Sequence, residues 1–297
     1  MGMRLEEYLR DLPATGRRAL VVQGGGMRGV YSMAALAALD GVGLRNAFDV
    51  IVGSSAGAIN AAYFLAGQAD AAVNLYVEYL SNRNFVNPRR LTKIVDIDYL
   101  VDTALKCHLP LNIDALRNSP TLLEFVLTDA ETAEAVVVTN RDADLDLYEV
   151  IRATAALPSL YNKRVAVGSR LYVDGGTVDS IPLNKALASK PEFVLAVVTR
   201  RPGYRREQHG VGYRVIGRAL ARGQSTAIKD LIGRRDSVFN SAMEALERQS
   251  SDGSRLCGVF PSDEAKLVGR TTFDRSKLLE CAAMGRSDMR NALAKVI

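Results

Sequence analysis

The segment 50–60, with the sequence VIVGSSAGAIN, constrains the fold more than any other part of the chain. Its β-branched residues predict a buried strand, and the small residues that follow predict a sharp turn. The alanine-rich continuation to residue 66 predicts a helix. Gly53 and Gly57 flank Ser55 in the G-x-S-x-G spacing of a nucleophile elbow, where small neighbours let backbone pass close to the serine. The helix N-terminus favours negative charge at the turn. Ser55 is therefore a candidate nucleophile, although this spacing also occurs in turns with an idle serine.

A second glycine-rich turn lies earlier in the chain. Residues 18–23 predict a short buried strand and residues 30–39 a helix. Consecutive glycines between them let several backbone N–H groups point at one position, and the helix dipole adds positive potential there. We expect this loop to bind an anion through its six residues: Gly24, Gly25, Gly26, Met27, Arg28 and Gly29.

Two functions are compatible with the anion-binding loop. GGGMRG satisfies the G-x-G-x-x-G dinucleotide fingerprint, and Asp40 or Asp49 follows at about 20 residues, so an NAD(P)-binding oxidoreductase is one hypothesis. The strand predicted over 48–52, however, ends at the Ser55 turn and not at an acid. One βαβ unit thus brings the loop next to a candidate nucleophile, and an oxyanion hole explains both turns together.

The candidate general base is Asp174. Residues 170–173 predict a strand that runs into Asp174, Gly175 and Gly176, and the two glycines let the chain bend away from the carboxylate. Asp-Gly is also common in ordinary turns. A desolvated carboxylate can accept a serine proton directly, so Asp174 could serve Ser55 in a dyad.

A Ser-His-Asp triad would need one of the two histidines. His209 follows Ser55 and Asp174 in the chain order of α/β-hydrolases, but it lies in a polar connector with no strand before it. His108 has apolar neighbours, which is more typical of a structural histidine. Both the dyad and the triad remain open at this point.

Length and composition fit one large folded domain, with or without an appendage. The chain has 297 residues, of which 48% are hydrophobic and 24% charged. Its first residues contain no apolar run, which predicts neither a signal peptide nor a transmembrane helix. Three widely spaced cysteines without C-x-x-C indicate a reduced, intracellular protein. Asp98 and Asp102 stand at helical spacing without a further ligand, so we expect a solvated helix face and no metal.

Four motifs together resemble the patatin-like phospholipase family: GGGMRG, GSSAG, RATAALP over 152–158 and DGG over 174–176. The resemblance covers roughly residues 18–199, where predicted strands at 135–139 and 191–199 extend the α/β alternation to at least five strands. It implies an α/β three-layer sandwich with a central, mainly parallel sheet. It also implies a patatin-like catalytic domain at 18–199, followed by a mainly helical, basic region at 200–297.

The resemblance further implies a lipid acyl hydrolase of the phospholipase A or esterase type. Ser55 would be the nucleophile, Asp174 the general base and 24–29 the oxyanion hole, in which Arg28 matches the basic residue usual in that loop. The substrate would be a phospholipid or another acyl-ester lipid, and neither a metal nor a cofactor is implied. A catalytically silent lipid-binding protein is the hypothesis from another functional class.

The region after residue 199 begins with a strongly basic segment. Between Arg200 and Arg235 there are ten lysines or arginines and two acids. Arg214, Arg218 and Arg222 form one stripe on a predicted amphipathic helix, which suits an anionic membrane surface or an ordinary solvated helix face. No nucleic-acid-binding module is present, so no nucleic-acid partner is expected. We expect a cytoplasmic protein, with peripheral contact at the inner face of the membrane as a hypothesis, and the oligomeric state is not predicted.

Overall fold

The computed structural model describes residues 3–11, 17–90, 93–158, 160–206, 223–232, 235–249 and 256–296. The strands of this part of the chain are β1 (Arg18–Val22), β2 (Val50–Ser54), β3 (Leu122–Asp129), β4 (Ala135–Thr139), β5 (Val165–Val167), β6 (Arg170–Asp174), β7 (Phe193–Val197) and β8 (Leu256–Val259). They form one mixed sheet in the order β5-β6-β3-β2-β1-β7-β8, and β4 pairs with β3.

The helices surround this sheet. They are α1 (Leu5–Asp11), α2 (Gly29–Gly41), α3 (Ala56–Leu65), α4 (Ala69–Asn74), α5 (Ile113–Arg117), α6 (Leu147–Ala155), α7 (Leu183–Ala188), α8 (Thr226–Ile232), α9 (Arg235–Gln249) and α10 (Arg275–Leu293). Wider, π-helical turns continue α4 over Leu75–Tyr79 and form the separate segment Tyr99–His108.

Side-chain alternation along the strands builds two cores. In β1, Leu20 and Val22 face a core that includes α2, α3 and α10, whereas Ala19 and Val21 face a core that includes α7 and α9. Helix α2 is buried nearly throughout because it packs against α3 and α4 and is covered by α10, which explains its lack of a polar face. The predicted α/β three-layer sandwich is confirmed.

The central part of the sheet is parallel. Strand β1 pairs in parallel with β2 and β7, β2 with β3, and β7 with β8, whereas β4 and β6 run antiparallel to β3. The described part of 200–297 thus contributes a strand to the same sheet. The division of the chain at residue 199 stays a prediction.

The ends of β2 and β6 meet beside one strand. Ser54, the last residue of β2, is opposite Val126 of β3, and Asp174, the last residue of β6, is opposite Leu127. Because β4 occupies the other edge of β3 at these positions, β2 and β6 lie on the same edge and approach each other end to end. This topology brings Ser55 and Asp174 together although 119 positions separate them.

No described helix combines the length and the apolar character needed to cross a membrane.

Candidate active site

Ser55 occupies the strained turn between β2 and α3. Its φ of 56° and ψ of −131° lie outside the regions that residues other than glycine normally adopt. The Ser55 N–H donates to Thr154 Oγ1 at 3.0 Å, and that hydroxyl in turn donates to the Val126 carbonyl at 2.7 Å. Thr154 therefore ties the strained turn to β3 and holds the Ser55 side chain in place.

Glycines around the turn allow backbone segments to approach closely. A methyl group at Gly53 would lie 2.6 Å from Ala58 Cα. At Gly57 and Gly175 it would overlap the carbonyl oxygens of Val22 and Val126. A side chain at any of these three glycines would therefore collide with neighbouring backbone atoms.

Ser55 and Asp174 are in direct contact. The Ser55 hydroxyl donates to Asp174 Oδ2 at 2.7 Å, and the Gly176 N–H donates to Asp174 Oδ1 at 2.6 Å. The Asp174 side chain is buried, and its backbone carbonyl accepts a hydrogen bond from Thr128 Oγ1 at 2.8 Å. Both carboxylate oxygens are therefore oriented, and one of them is aimed at the serine hydroxyl.

The glycine-rich loop has two N–H groups available to a ligand. Gly25 and Gly26 line the same pocket as Ser55, and their N–H groups donate to no acceptor in the described residues. The other N–H groups of the loop are used within the protein. Gly24 donates to the Ser180 carbonyl, Met27 to Arg270, Arg28 to Gly25, and Gly29 to Gly26 and Met27.

A third N–H group, that of Ala56, is also available to a ligand in the pocket. Ala56 follows the nucleophile position, begins α3 and lines the pocket, so its N–H has no partner within the helix. In nucleophile elbows this N–H commonly forms part of the oxyanion hole. The site can thus present three backbone donors near the Ser55 hydroxyl.

Of the two residues between the loop glycines, Met27 lines the pocket and Arg28 does not. Met27 is buried in the core that includes α2, α3 and α10, and it also lines the pocket. Arg28 is buried outside the pocket lining, and its Nε has no hydrogen-bond partner in the described residues. Burial, together with the positive charges of Arg200 and Arg270, lowers the pKa of Arg28 well below its usual value.

The pocket that contains Ser55 is lined mostly by apolar side chains, together with a few polar and cationic ones. The space inside the pocket, its open mouth included, is about 910 Å³. Its polar lining includes Ser180, Arg206 and Arg270. Its apolar lining includes Ile59, Leu75, Leu80, Phe85, Val95, Ile97, Leu100, Leu157 and Leu160. Such a pocket can hold a hydrocarbon chain next to a polar group.

The two acids considered for a dinucleotide site are engaged elsewhere. Asp40 accepts two hydrogen bonds from Arg45, at 2.8 and 2.9 Å. Asp49 precedes β2 and accepts a hydrogen bond from the Arg18 N–H at 2.7 Å. Because β1 and β2 are parallel, Asp49 lies at the opposite end of the strands from the glycine-rich loop. Neither acid can bind a ribose beside that loop.

The other polar candidates do not join the pocket. His108 stacks on Tyr79 with ring centroids 4.9 Å apart, and His209 lies outside the described residues. Asp98 and Asp102 bind Arg152 at 2.9 and 2.8 Å, so both carboxylates belong to an ion-pair network. Where the structure describes the chain, no three His, Cys, Asp or Glu side chains are arranged to hold a metal ion.

Sequence reasoning missed several residues of the site. Thr154 lies within the RATAALP motif, but the motif alone does not indicate that its hydroxyl binds the Ser55 N–H. Ser180, Arg206 and Arg270 come from loops without a recognisable pattern, and Arg270 reaches the pocket from more than 200 positions along the chain. Only the three-dimensional contacts identify them.

Comparisons with known proteins extend these observations. Residues 20–187 match the family model described as patatin-like phospholipase. Over 188 residues the chain is 30% identical to the uncharacterized protein YjjU of Escherichia coli (strain K12). That match covers 62% of this chain and 52% of YjjU, so the chain spans about half the length of this curated relative.

Two solved structures were compared with this chain. VipD from Legionella pneumophila superposes with a TM-score of 0.53 at 12% identity, covering 95% of this chain and 67% of VipD. The type III effector protein ExoU gives a TM-score of 0.40 at 14% identity, covering 95% of this chain and 54% of ExoU. At such low identity the likeness to VipD concerns the fold alone.

The family match includes the glycine-rich loop, the Ser55 turn, the Thr154 segment and the Asp174 turn. It extends over more than half of the chain, and the observed three-layer architecture agrees with it. The chain belongs to the patatin-like phospholipase family.

Proposed function

We propose that the protein is a lipid acyl hydrolase that cleaves carboxylic esters with a Ser55–Asp174 dyad. The observation that carries this proposal is the 2.7 Å hydrogen bond between the Ser55 hydroxyl and Asp174 Oδ2, at a strained turn beside unused backbone donors. Membership of the patatin-like phospholipase family supports a lipid substrate. Phospholipids and other acyl-ester lipids are the substrate class, and the apolar lining of the pocket suits their hydrocarbon chains.

The first half-reaction forms an acyl-enzyme. Asp174 accepts the hydroxyl proton as Ser55 Oγ attacks the ester carbonyl, and the negative charge develops on the carbonyl oxygen. The N–H groups of Gly25, Gly26 and Ala56 stabilise that oxyanion. The C–O bond to the alcohol then breaks, and the proton held by Asp174 passes to the leaving alkoxide.

The second half-reaction releases the acyl group. Asp174 accepts a proton from a water molecule as the water oxygen attacks the acyl-enzyme carbonyl. The same three N–H groups stabilise the second oxyanion. Ser55 leaves as the C–O bond breaks and recovers its proton from Asp174, which regenerates the dyad and releases the fatty acid.

Substitution of each dyad member tests this mechanism. We expect Ser55→Ala to abolish hydrolysis of a short p-nitrophenyl ester, because it removes the nucleophile. Asp174→Asn should lower kcat by about 10²-fold or more, since general-base catalysis typically contributes that much. Ser189→Ala, at the end of α7, removes a hydroxyl away from the pocket and serves as the matched control. Steady-state kinetics on the folded variants give the result.

The same measurements separate the alternatives. A triad would make His209→Ala or His108→Ala lose most activity, whereas the dyad mechanism expects both to retain it. Unchanged turnover in a folded Ser55→Ala variant would remove Ser55 from the mechanism. A catalytically silent lipid-binding protein would hydrolyse no ester in any variant.

The proposed site of action is a membrane surface on the cytoplasmic side. The basic segment between Arg200 and Arg235 supports peripheral contact with anionic lipids. Arg214, Arg218 and Arg222, which form the predicted stripe, lie outside the described residues. The membrane contact and the cytoplasmic location stay proposals.

A further inference from the structure

Arg28 is a buried cation that has no carboxylate partner among the described residues. Its side chain is 4% exposed, its Nε has no hydrogen-bond partner, and no ion pair involves it in the described residues. Burial of an unpaired charge is costly, and buried charges in proteins are normally paired. The Arg28 side chain therefore supplies a positive charge that no neighbouring acid cancels.

Three further arginines are near enough to Arg28 to act on its charge. Arg200 and Arg206 lie in the segment after β7, and Arg270 precedes α10. The charges of all three lower the pKa of Arg28, after the larger effect of burial. Arg206 and Arg270 also line one pocket, so positive charge from separate segments of the chain is concentrated on this part of the molecule.

Two of these arginines are positioned in the pocket that contains Ser55. The Arg206 guanidinium donates to Ser180 Oγ at 2.9 Å and stacks over the Phe239 ring, 4.1 Å from its centroid. Arg206 and Arg270 both line the pocket wall, whereas Arg28 adds charge from outside the lining. The planar arginine fork is thus preorganised next to the reacting groups.

The glycine-rich loop fixes the place of Arg270. The Arg270 carbonyl accepts the Met27 N–H at 3.0 Å, and the position of a Cβ on Gly26 would be only 2.7 Å from the same carbonyl oxygen. Arg270 is therefore next to the proposed oxyanion donors. A group bound by its side chain would share the pocket with the ester that Ser55 attacks.

The chemistry of the cluster indicates a phosphate. Guanidinium groups bind phosphate oxygens with paired, charge-assisted hydrogen bonds, and a phosphate monoester carries up to two charges on three terminal oxygens. Several arginines in and near one pocket match that charge better than they match a single carboxylate. The rest of the pocket lining consists mainly of aliphatic and aromatic side chains. This combination suits a molecule with a hydrocarbon chain at one end and a phosphate at the other.

We propose that Arg206 and Arg270, supported by the charges of Arg28 and Arg200, form a subsite for a phosphate monoester and select phosphate-bearing single-chain lipids. This inference rests on the proposed function and specifies its substrate class. The shared ligand chemistry is the phosphate group, whether it is the head group of a lipid or free inorganic phosphate.

A matched pair of substrates tests the selection. A 1-acylglycerol 3-phosphate and the 1-acylglycerol with the same acyl chain differ only in the phosphate, so the ratio of their kcat/KM values isolates its contribution. We expect wild type to favour the phosphate lipid, and Arg206→Gln and Arg270→Gln each to lower the ratio by about tenfold or more, mainly through KM. Arg270→Lys, which retains the charge, should recover part of the ratio.

Arg201→Gln is the matched control. Arg201 is exposed, pairs with Glu264 at 2.6 Å and does not line the pocket, so its removal changes the net charge equally without touching the subsite. The ratio should be unchanged in this variant. A ratio that is also unchanged in both Arg206→Gln and Arg270→Gln would overturn the proposal.

A binding measurement keeps the test independent of turnover. Calorimetry on the Ser55→Ala protein should find the acylglycerol phosphate bound at least tenfold more tightly than the acylglycerol, with the difference lost on adding Arg270→Gln. Inorganic phosphate that binds as tightly as the lipid would support the subsite and identify free phosphate as its ligand. If wild type hydrolyses no ester but this preference persists, the hydrolase proposal fails and the phosphate subsite stands. Equal affinity for the two lipids would overturn the subsite.

Discussion

The position of Ser55 depends on residues from several separate segments. Thr154 holds its N–H, Asp174 accepts its hydroxyl proton in a hydrogen bond, and Gly53 and Gly57 leave room for the turn. The strained φ of 56° persists because these contacts over-determine it. Motif spacing indicated Ser55, Asp174 and the glycines as candidate site residues. The roles of Thr154, Arg206 and Arg270 could not be predicted, because they depend on contacts between distant segments.

A second buried carboxyl group lies close to the dyad in sequence. Asp179 is 8% exposed, and its Oδ1 has no hydrogen-bond partner in the described residues. Burial raises its pKa to about 7, against the opposing effects of the Ile181 N–H and the charges of Lys185 and Arg206. In the unfolded chain the same group titrates near its usual pKa of about 4.

This difference predicts a pH-dependent stability. Between about pH 4 and pH 7 the folded protein retains the Asp179 proton that the unfolded chain loses, so this contribution to the free energy of unfolding decreases as the pH rises. This stabilising contribution of protonated Asp179 is fully present below about pH 4 and is lost above about pH 7. We expect Asp179→Asn to reduce the loss of stability across this window, measured by urea unfolding of both proteins at several pH values. Parallel pH profiles for the two proteins would contradict the assignment.

The elements of the site were predictable to different degrees. The strand–turn–helix of β2 and α3 follows from a β-branched run, small residues and an alanine-rich segment, and its predicted and observed bounds nearly coincide. The α6 helix begins at Leu147, five residues before the RATAALP motif. Its start signal is visible in retrospect, because Asp146 caps the Tyr148 N–H at 2.8 Å and Glu149 follows at capping-box spacing.

Strands β3, β5 and β8 were not predicted. Strand β3 is largely buried, so its sequence LLEFVLTD lacks the alternation of a half-exposed strand, and Glu124 interrupts its apolar run. Strands β5 and β8 have three and four residues, too few for a periodic signal. Because β3 carries the register that aligns β2 with β6, the mutual position of Ser55 and Asp174 could not be derived from the sequence.

The glycine-rich loop requires glycine at position 26. Its φ is +57°, and a Cβ would be 2.7 Å from the Arg270 carbonyl oxygen, which leaves neither the conformation nor the space for a side chain. Gly26→Val should therefore displace the loop donors and lower kcat more than it raises KM, because these donors act mainly in the transition state.

The matched control for the loop is Gly41→Val. Gly41 ends α2, and a Cβ there would meet no atom within 4 Å. Kinetics with a p-nitrophenyl ester should show a normal kcat for this variant. An effect of Gly26→Val confined to KM would instead indicate that the loop holds the substrate and does not stabilise the oxyanion.

At the scale of the whole molecule, the described residues beyond 200 are integrated with the family-matched region. Strand β8 extends the sheet beside β7, α10 covers α2, and the loop before α10 contacts the glycine-rich loop. The sequence predicted this region as mainly helical and basic but did not indicate its role in the pocket. Helix periodicity and charge can be recognised from neighbouring residues in the sequence. A contact between the loop before α10 and the distant glycine-rich loop cannot, because the two segments are far apart in the chain.

The basic segment predicts binding to anionic membranes. Each arginine near an anionic surface contributes about 1 kcal/mol, so replacing Arg214, Arg218 and Arg222 by Gln should weaken vesicle binding by about 10²-fold. Higher salt should reduce binding by wild type, because it shortens the range of the electrostatic attraction. Co-sedimentation with anionic and zwitterionic vesicles measures both effects.

A second triple variant controls for net charge. Replacing Arg275, Arg286 and Arg290 of α10 by Gln removes the same charge from another surface and should weaken binding much less. Equal binding of wild type and of both triple variants to both kinds of vesicle would contradict a membrane role for the basic segment.

Covalent labelling of the native protein with a fluorophosphonate tests the central claim most directly, because only an activated serine beside oxyanion donors reacts rapidly with this probe. We predict one adduct, assigned by peptide mass spectrometry to Ser55, absent from Ser55→Ala and formed much more slowly in Asp174→Asn. An unlabelled folded wild type, or an adduct on another residue, would contradict the assignment of Ser55 as the nucleophile.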